Sequence, residues 1–157
     1  MIRAAVPADA QALAALWNPW IRDTAVTFNS AEKSEADLRA MIAARDCFLV
    51  HINNGVQGFA TYSQFRGGPG YATCMEHSVI LSPDARGMGA GRALLAAVEI
   101  HAKAAGAHQM IAGVSGENPE GQRFHAALGY QEIAIIRDAG FKFGRFMDLV
   151  LMQKFLS

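Results

Sequence analysis

The 157-residue sequence predicts one α/β domain in which a mixed β-sheet is covered by helices on both faces. Its length is that of a single domain able to bury a sizeable core. Hydrophobic residues make up 52% of the chain and charged residues 18%, a composition typical of a folded protein. Strand-like and helical patterns follow one another in the order β-α-α-β-β-β-α-β-α-β-β. Because no repeat or linker interrupts them, residues 1–157 are predicted to form one domain.

The first half of the chain predicts a strand, two helices and a hairpin. Residues 2–6 are a short strand, and residues 7–20 are a helix because apolar side chains recur there at helical spacing. Ser34 is a suitable N-cap for the second helix. The strands 48–52 and 56–63 flank an Asn-Gly turn, which is a strong signal of a hairpin.

The second half predicts the remaining strands and two more helices. Residues 64–70 contain Gly-Gly-Pro-Gly and are expected to form a loop beside a pocket. A strand at 73–81 is followed by a glycine-rich turn and by a helix that ends at Gly106. A buried strand, a short helix and two strands then follow, at 109–114, 119–128, 130–137 and 146–155.

The turn between the strand at 73–81 and the next helix carries the most information about function. Three alternating glycines precede the helical pattern there, and bare N–H groups at a helix N-terminus bind anions. Arg86 and Arg92 flank the glycines and can pair with a pyrophosphate. The spacing fits neither the dinucleotide fingerprint nor the P-loop. We call this segment the glycine loop, and it consists of Arg86, Gly87, Met88, Gly89, Ala90, Gly91 and Arg92.

The glycine loop fits the pattern R/Q-x-x-G-x-G/A and resembles the acetyl-CoA pyrophosphate loop of the GNAT acetyltransferase superfamily. Residues 118–130, in which an Asn opens a short helix that ends at Gly-Tyr, resemble the second signature of that superfamily. Four shorter stretches resemble its phosphinothricin and methionine sulfone/sulfoximine branch: WNP at 17–19, TAVTF at 24–28, MEHS at 75–78 and FKFGRFMDL at 141–149. The resemblance covers residues 2–153 and implies a GNAT fold with a mostly antiparallel sheet.

The resemblance also implies acetyl-CoA as co-substrate. It implies that the strands at 73–81 and 109–114 splay apart and leave a slot for the pantetheine arm. Val79, Ile80 and Leu81 are then cofactor-binding residues, and Val79 and Leu81 contribute their backbone amides. Met88 and Ala90 contribute only backbone groups to the pyrophosphate. Asn118 is expected to cap its helix, to reach the CoA arm, or both.

Glu76 is the candidate general base for acetyl transfer to an amine. It interrupts an apolar strand, where a carboxylate is costly unless water, a cation or a substrate amine meets it. The residues alone leave open whether Glu76 is a base or is paired with a nearby arginine. The resemblance, in which a Glu on this strand acts through water, favours the base.

His125 is the second catalytic candidate. It stands at the helix position where many members of the superfamily have a tyrosine thought to protonate the departing thiolate, and the phosphinothricin branch has a histidine there. Packing beside the cofactor is the alternative. His77 must point to the face of the strand opposite Glu76 and is predicted as a hydrogen-bonded core or interface histidine.

Arg66 is the candidate for binding a carboxylate of the acceptor, because relatives place an aromatic-plus-Arg pair there and a guanidinium binds carboxylates bidentately. A solvated loop arginine is the alternative. A second arginine of the branch falls at Ala72 here, so we expect weaker carboxylate selectivity. The other acceptor-site candidates are Thr27, Phe28, Phe143 and Arg145, and Phe28 fits the core equally well.

The composition limits the other function classes. Fourteen basic and 14 acidic residues cancel, so no nucleic-acid or anionic-membrane binding is indicated. Cys47 and Cys74 are expected to be reduced thiols, and Cys74 shares the strand face of Glu76. No ligand spacing predicts a metal site. Without a transmembrane or signal segment a cytoplasmic location is expected, and a homodimer is expected from the family alone.

The sequence therefore predicts an N-acetyltransferase that moves an acetyl group from acetyl-CoA to the amine of a small amino-acid-like substrate. Phosphinothricin, methionine sulfone and methionine sulfoximine are the type substrates, and direct attack in a ternary complex is the expected mechanism. The alternatives are an acetyltransferase of a protein or peptide amine and a non-catalytic acyl-CoA-sensing module. Glu76 argues against the sensor, and the glycine-proline loop with Arg66 does not suggest the open acidic groove that a peptide would favour.

Overall fold

The computed structural model describes all 157 residues as one α/β fold, and the predicted order of elements is confirmed. The strands are β1 (Ile2–Ala4), β2 (Phe48–Ile52), β3 (Val56–Gln64), β4 (Cys74–Leu81), β5 (Gln109–Ser115), β6 (Gln131–Lys142) and β7 (Arg145–Phe155). The helices are α1 (Ala10–Asp23), α2 (Glu35–Ala44), α3 (Ala90–Ala104) and α4 (Pro119–Ala127). No helix combines the length and the apolar character needed to cross a membrane.

Helices cover both faces of the sheet, as predicted. On one face α1 and α2 bury Leu13 and Leu38 against Phe59 of β3. On the other face α3 packs Leu94 and Val98 against the strands. Each large apolar side chain that is fully buried contributes roughly 1.5–3 kcal/mol to folding. The sheet is thus fixed from both sides, and its strand ends form a rigid frame for a site.

The seven strands form one sheet in the order β1-β2-β3-β4-β5-β7-β6. All neighbours are antiparallel except β4 and β5, which are parallel. That parallel pairing spans only Cys74–Glu76 against Gln109–Ile111. Beyond it β4 stays paired with β3, and β5 stays paired with β7. The sheet therefore opens in its middle, and the predicted splay of the two strands is confirmed.

The largest difference from the predicted boundaries is the hairpin of β6 and β7. The prediction ended the first strand at Arg137, whereas β6 continues to Lys142 and turns at Phe143-Gly144. Both turn residues have positive φ, 54° and 73°. Such a turn favours Asn-Gly, so the sequence Phe-Gly did not indicate a hairpin turn. A register shift between Ile136 and Gly140 further obscured the strand pattern.

Two short 3₁₀ turns also differ from the prediction. Pro7–Asp9 forms one before α1, so the helix proper begins three residues later than predicted. Pro69–Tyr71 forms the other, inside the loop that was expected to be irregular. Proline favours both turns because its fixed φ suits the first position of a helical turn.

Candidate active site

The opening between β4 and β5, which we call the slot, exposes main-chain groups of β4. The Thr73 carbonyl accepts a hydrogen bond from the β5 side, and the Ser82 N–H donates to β3. Because alternate residues of a strand direct their main-chain groups to opposite sides, those of Val79 and Leu81 face the slot. Only the Leu81 carbonyl has a partner there, the indole N–H of Trp20 at 3.2 Å.

An outer cavity of about 460 Å³ lies where the slot meets the N-termini of α3 and α4. All the predicted cofactor-binding residues line it except Met88, whose side chain is 65% exposed. The residues concerned are Val79, Ile80, Leu81, Arg86, Gly87, Gly89, Ala90, Gly91, Arg92 and Asn118. The structure therefore brings together nearly the whole predicted cofactor set. Ile80 contributes its side chain, since its main chain faces β3.

The glycines of the loop have two different roles. Gly87 and Gly89 have φ of +74° and +80°, and nothing lies within 4 Å of a Cβ built on either. Gly89 is the N-cap of α3, so the N–H groups of the first helical turn after it are bare and accessible to an anion. At Gly91 a Cβ would lie 2.9 Å from Leu81, so α3 packs directly on β4. The loop combines an exposed helix N-terminus with close packing behind it.

Arg86 bridges the mouth of the outer cavity. Its guanidinium is 3.1 Å from the Glu120 carboxylate and lies over the ring of Trp20, at 5.4 Å from the centroid. The side chains of Arg86 and Glu120 are 55% and 66% exposed. Exposed pairs of this kind contribute only about 0–1 kcal/mol. Arg86 can therefore exchange this carboxylate for a phosphate at small cost.

An inner cavity of about 220 Å³ lies on the other side of the slot. Thr27 and Phe28 line it, as predicted, together with Val26. These three residues belong to residues 24–28, which we call the wall segment. The inner cavity shares five lining residues with the outer one: Val26, Val79, Ile80, Asn118 and His125. The two cavities are therefore joined through the slot.

Glu76 lies on β4 where the strands begin to diverge. Glu76 itself lines neither cavity, but a Cβ built on Gly113, which lines the inner cavity, would lie 3.0 Å from its Oε2. Burial raises the pKa of Glu76, and no hydrogen bond or charged neighbour opposes that rise. The arginine pairing that the sequence left open is absent. An unpaired, half-buried carboxylate with a raised pKa is suited to accept a proton.

His77 and His125 form a buried pair beside the slot. Their rings are 16° from parallel and their Nε2 atoms are 3.2 Å apart. The Nδ1–H of His125 donates to the Gly121 carbonyl at 2.7 Å, so in the neutral ring Nε2 accepts from His77. Burial lowers the pKa of both histidines, that of His77 to about 3. His125 therefore directs no N–H into the slot in this state, a geometry that supports packing.

Several acceptor candidates lie outside both cavities. Arg66 is an exposed residue of the loop after β3, with its guanidinium 5.5 Å from the centroid of the Tyr71 ring. Arg145 forms a bidentate ion pair with Glu117, with distances of 2.6 and 3.1 Å. Phe143 is the exposed turn residue of the β6–β7 hairpin. Cys74 and Cys47 are free thiols, and Cys74 lines neither cavity.

Sequence reasoning missed several residues of the site. Trp17 and Trp20 of α1 line the inner and outer cavities respectively, and their spacing on one helical face could have indicated both. Gly113 lies inside a buried strand, where glycine often marks a close approach. Phe124 of α4 lines the outer cavity and packs behind the glycine loop. Their roles depend on long-range contacts that local patterns do not specify.

The site has the form required by a group-transfer enzyme with a long, phosphorylated carrier. A glycine loop with bare amides, a slot lined by main-chain groups of β4, and a small cavity with an unpaired carboxylate beside it follow one another in that order. The model of the acetyltransferase (GNAT) family matches residues 13–130. The chain belongs to this family of acetyl-CoA-dependent N-acetyltransferases.

Curated relatives match along almost the whole chain. An L-amino acid N-acyltransferase of Escherichia coli is 36% identical, over 97% of this chain and 91% of the relative. A methionine sulfoximine/methionine sulfone acetyltransferase of Salmonella typhimurium is 34% identical, over 97% and 92% of the two chains. The predicted branch of the superfamily is thereby confirmed.

Solved structures show the same fold. A phosphinothricin acetyltransferase from Sinorhizobium meliloti in complex with acetyl-CoA has a TM-score of 0.94 at 31% identity, covering 100% of this chain and 88% of that one. A ribosomal-protein-alanine N-acetyltransferase from Brucella melitensis has the same TM-score at 32% identity, with 99% of each chain covered. The two neighbours are named for different acceptors, a ribosomal-protein alanine and phosphinothricin.

Proposed function

We propose that this enzyme acetylates the amine of a small, carboxylate-bearing amino acid, of the kind named for its relatives. The observation that carries the proposal is the inner cavity of about 220 Å³ joined to the outer one beside an unpaired Glu76. Pockets for larger ligands are typically about 300–1,000 Å³. A space of this size suits a compact acceptor better than a peptide.

Acetyl-CoA is proposed to occupy the outer cavity and the slot. Its pyrophosphate would accept hydrogen bonds from the bare amides of the glycine loop, with Arg86 released from Glu120 to pair with it. Its pantetheine amides would pair with the main chain of Val79 and Leu81. The thioester would then lie at the junction of the two cavities, next to the acceptor.

The chemical step is proposed as a direct attack. Glu76, acting through water, removes a proton from the substrate ammonium, and the nitrogen lone pair attacks the thioester carbonyl carbon. A C–N bond forms, the carbonyl π electrons move to oxygen and return, and the C–S bond breaks. The amide nitrogen loses its second proton to the solvent, and the CoA thiolate takes up a proton. Main-chain N–H groups of β4 that face the slot would polarise the carbonyl.

His125 stays the proposed donor of the thiolate's proton, with one structural requirement. Its Nδ1–H is bound to Gly121 and its Nε2 accepts from His77. Donation to sulfur therefore requires that the bond to His77 be broken and that Nε2 carry a proton. If His125 only packs, the thiolate is protonated by solvent instead.

Acetylation of a protein or peptide amine is the second candidate, because one structural neighbour is a ribosomal-protein-alanine N-acetyltransferase. Thiol release should be measured for amino acids, amino-acid sulfones and sulfoximines, polyamines and peptides with an N-terminal alanine. We expect free amino acids to be the best acceptors. A preference for the peptides over every amino acid would contradict the proposal and favour this second candidate. Thiol release in the absence of any acceptor would favour neither candidate.

Arg66, which lines neither cavity, is proposed to reach from the loop after β3 to the carboxylate of an acceptor that extends out of the inner cavity. The main-chain N–H of Phe65 donates to Cys74 at 2.9 Å, so the loop of Arg66 begins beside the start of β4. We expect Arg66→Ala to raise the KM of amino acids about tenfold, because a charge-assisted pair is lost. Amidated acceptors should be poor for the wild type and unaffected by the change.

The matched control is Arg39→Ala, which removes another exposed arginine, on α2. Initial rates on free acids and on their amides should be measured for the wild type and both variants. They decide whether Arg66 binds the acceptor carboxylate. Equal rates on acids and amides with the wild type would exclude carboxylate binding by Arg66.

We also propose a homodimer formed through β6. This edge strand exposes Ile133, Ile135 and Ile136 by 48%, 52% and 45%, and the adjoining turn exposes Phe143. A bare apolar edge invites strand pairing, and a second copy of the chain closes it with two-fold symmetry. The double variant Ile133→Glu/Ile135→Glu should sediment as a monomer.

The control for the dimer is Ile100→Glu, which changes an isolated isoleucine of α3 that is 71% exposed. It should leave the sedimentation coefficient of the dimer unchanged. A monomeric wild type at micromolar concentration would contradict the proposed interface.

A cytoplasmic location is proposed on the grounds of chemistry. Cys47 and Cys74 are both free thiols, as expected for a protein in a reducing compartment. The co-substrate proposed for the slot is likewise a metabolite of the cell interior.

A further inference from the structure

Lys142 is a buried cation without a carboxylate partner. It lies near the end of β6 and is 5% exposed. Its Nζ donates two hydrogen bonds of 2.7 Å, to the main-chain carbonyls of Thr24 and Thr27. The ring of Phe143 lies 5.3 Å away, measured to its centroid. Its ammonium thus faces two carbonyl groups and an aromatic ring, none of which carries a charge.

Such an arrangement is a poor way to gain stability. Removing an ammonium from water is costly, and burial lowers the pKa of Lys142 accordingly. The hydrogen bonds to carbonyl oxygens are charge-assisted and directional, so they offset the cost only while both carbonyls stay in place. An apolar residue of the same length would avoid the desolvation cost. The arrangement therefore favours a role in fixing the two carbonyls.

The carbonyls belong to the wall segment, which has no regular structure of its own. Residues 24–28 make local bonds, such as Val26 N–H to the Thr24 hydroxyl at 3.3 Å, but no main-chain hydrogen bond to the sheet. Lys142 supplies the hydrogen bonds that join them to β6 across 115 and 118 positions of sequence.

A second contact fixes the same segment from the same strand. The ring of Phe28 lies against the main chain of Gly140, which leaves no room for a Cβ at that position. Gly140 and Lys142 are both buried and point to the same side of β6, because they are two residues apart. Val26, Thr27 and Phe28 line the inner cavity.

We propose that Lys142 is a positioning residue that sets the wall of the acceptor cavity by holding the carbonyls of Thr24 and Thr27. The inference rests on the proposed function, because it takes the inner cavity as the acceptor site. Lys142 does not line either cavity, so it acts on the acceptor only through the wall segment.

The test compares steady-state kinetics of Lys142→Met with those of the wild type. Methionine keeps most of the length and removes both hydrogen bonds. We expect the KM of the amino-acid acceptor to rise about tenfold or more, since a small displacement of a binding wall has large effects. The dissociation constant of acetyl-CoA should change less than about twofold, because the glycine loop is untouched. Lys142→Arg keeps the charge but not the donor geometry and should give an intermediate KM.

Ser34→Ala is the control for a general loss of stability. Ser34 caps α2 and lies outside both cavities, and loss of such a cap typically costs about 1 kcal/mol. It should leave the acceptor KM unchanged. If Lys142→Met does not fold, Lys142→Arg carries the test. An acceptor KM unchanged from wild type in a folded Lys142 variant would overturn the inference and leave the proposed function intact.

Hydrogen exchange provides a readout that does not depend on turnover. If the wild type acetylates no amino acid, the proposed function fails and the KM comparison has no meaning. Amide exchange in residues 24–28 should still be faster in the Lys142 variant than in the wild type. Equal exchange rates in that segment would overturn the positioning role as well.

Discussion

Replacement of Glu76 by glutamine is expected to lower kcat by about a hundredfold or more at neutral pH. The amide is nearly the same size but cannot accept a proton, and the structure shows no other partner for this side chain that the change would disturb. Affinity for acetyl-CoA should be preserved, because Glu76 does not line the outer cavity. Stopped assays of product and calorimetry of acetyl-CoA binding measure the two quantities separately.

The pH profile provides a second check on Glu76. Burial raises the pKa of its carboxyl, and the base must be deprotonated to act. The value of kcat/KM should therefore fall as the pH drops through this raised pKa, above the range of an ordinary glutamate. Glu76→Gln should lose that acidic limb and recover part of its rate at high pH, where the free amine is more abundant. If Glu76→Gln turned over as fast as the wild type at every pH, Glu76 would not be the general base.

Substitution of Gly89 by valine is expected to weaken acetyl-CoA binding by about a hundredfold. Gly89 has a φ of +80°, a conformation that β-branched residues rarely adopt, so the loop must shift. Its Cβ would also stand in open space at the N-terminus of α3, where the pyrophosphate is proposed to approach the bare amides. Isothermal calorimetry with acetyl-CoA measures the change directly.

Gly55→Val is the matched control for that strain. Gly55 also has a positive φ, +103°, with nothing within 4 Å of its Cβ, but it lies in the hairpin turn between β2 and β3. It should lose stability by a similar amount and bind acetyl-CoA normally. An unchanged acetyl-CoA affinity in a folded Gly89→Val protein would remove the glycine loop from the proposed site.

The sequence predicted those parts of the site that local chemistry determines. A run of alternating glycines before a helix can be recognised without the fold, because the φ values and the bare amides are local properties. Glu76 became a candidate because a carboxylate is out of place in an apolar strand. The positions of Thr27 and Phe28 came from the resemblance to a known branch, and the structure places both at the inner cavity.

Contacts between distant parts of the chain could not be predicted. The hydrogen bond from Trp20 to Leu81 spans 61 positions, and those of Lys142 span more than 100. The pairing of His77 with His125 depends on how α4 packs against β4, and it changes the protonation state available to a predicted catalytic residue. The β6–β7 turn was missed because a phenylalanine occupies a position where asparagine is usual.

The measurement that most directly tests the account is the initial rate of thiol release with acetyl-CoA and a free amino-acid acceptor varied together. Attack in a ternary complex, across a slot that joins two cavities, requires both substrates to be bound at once. The double-reciprocal lines should therefore intersect, and no thiol should be released in the absence of the amine. Parallel lines would indicate an acetylated enzyme intermediate, and an absence of thiol release with every free amino acid would contradict the proposed function itself.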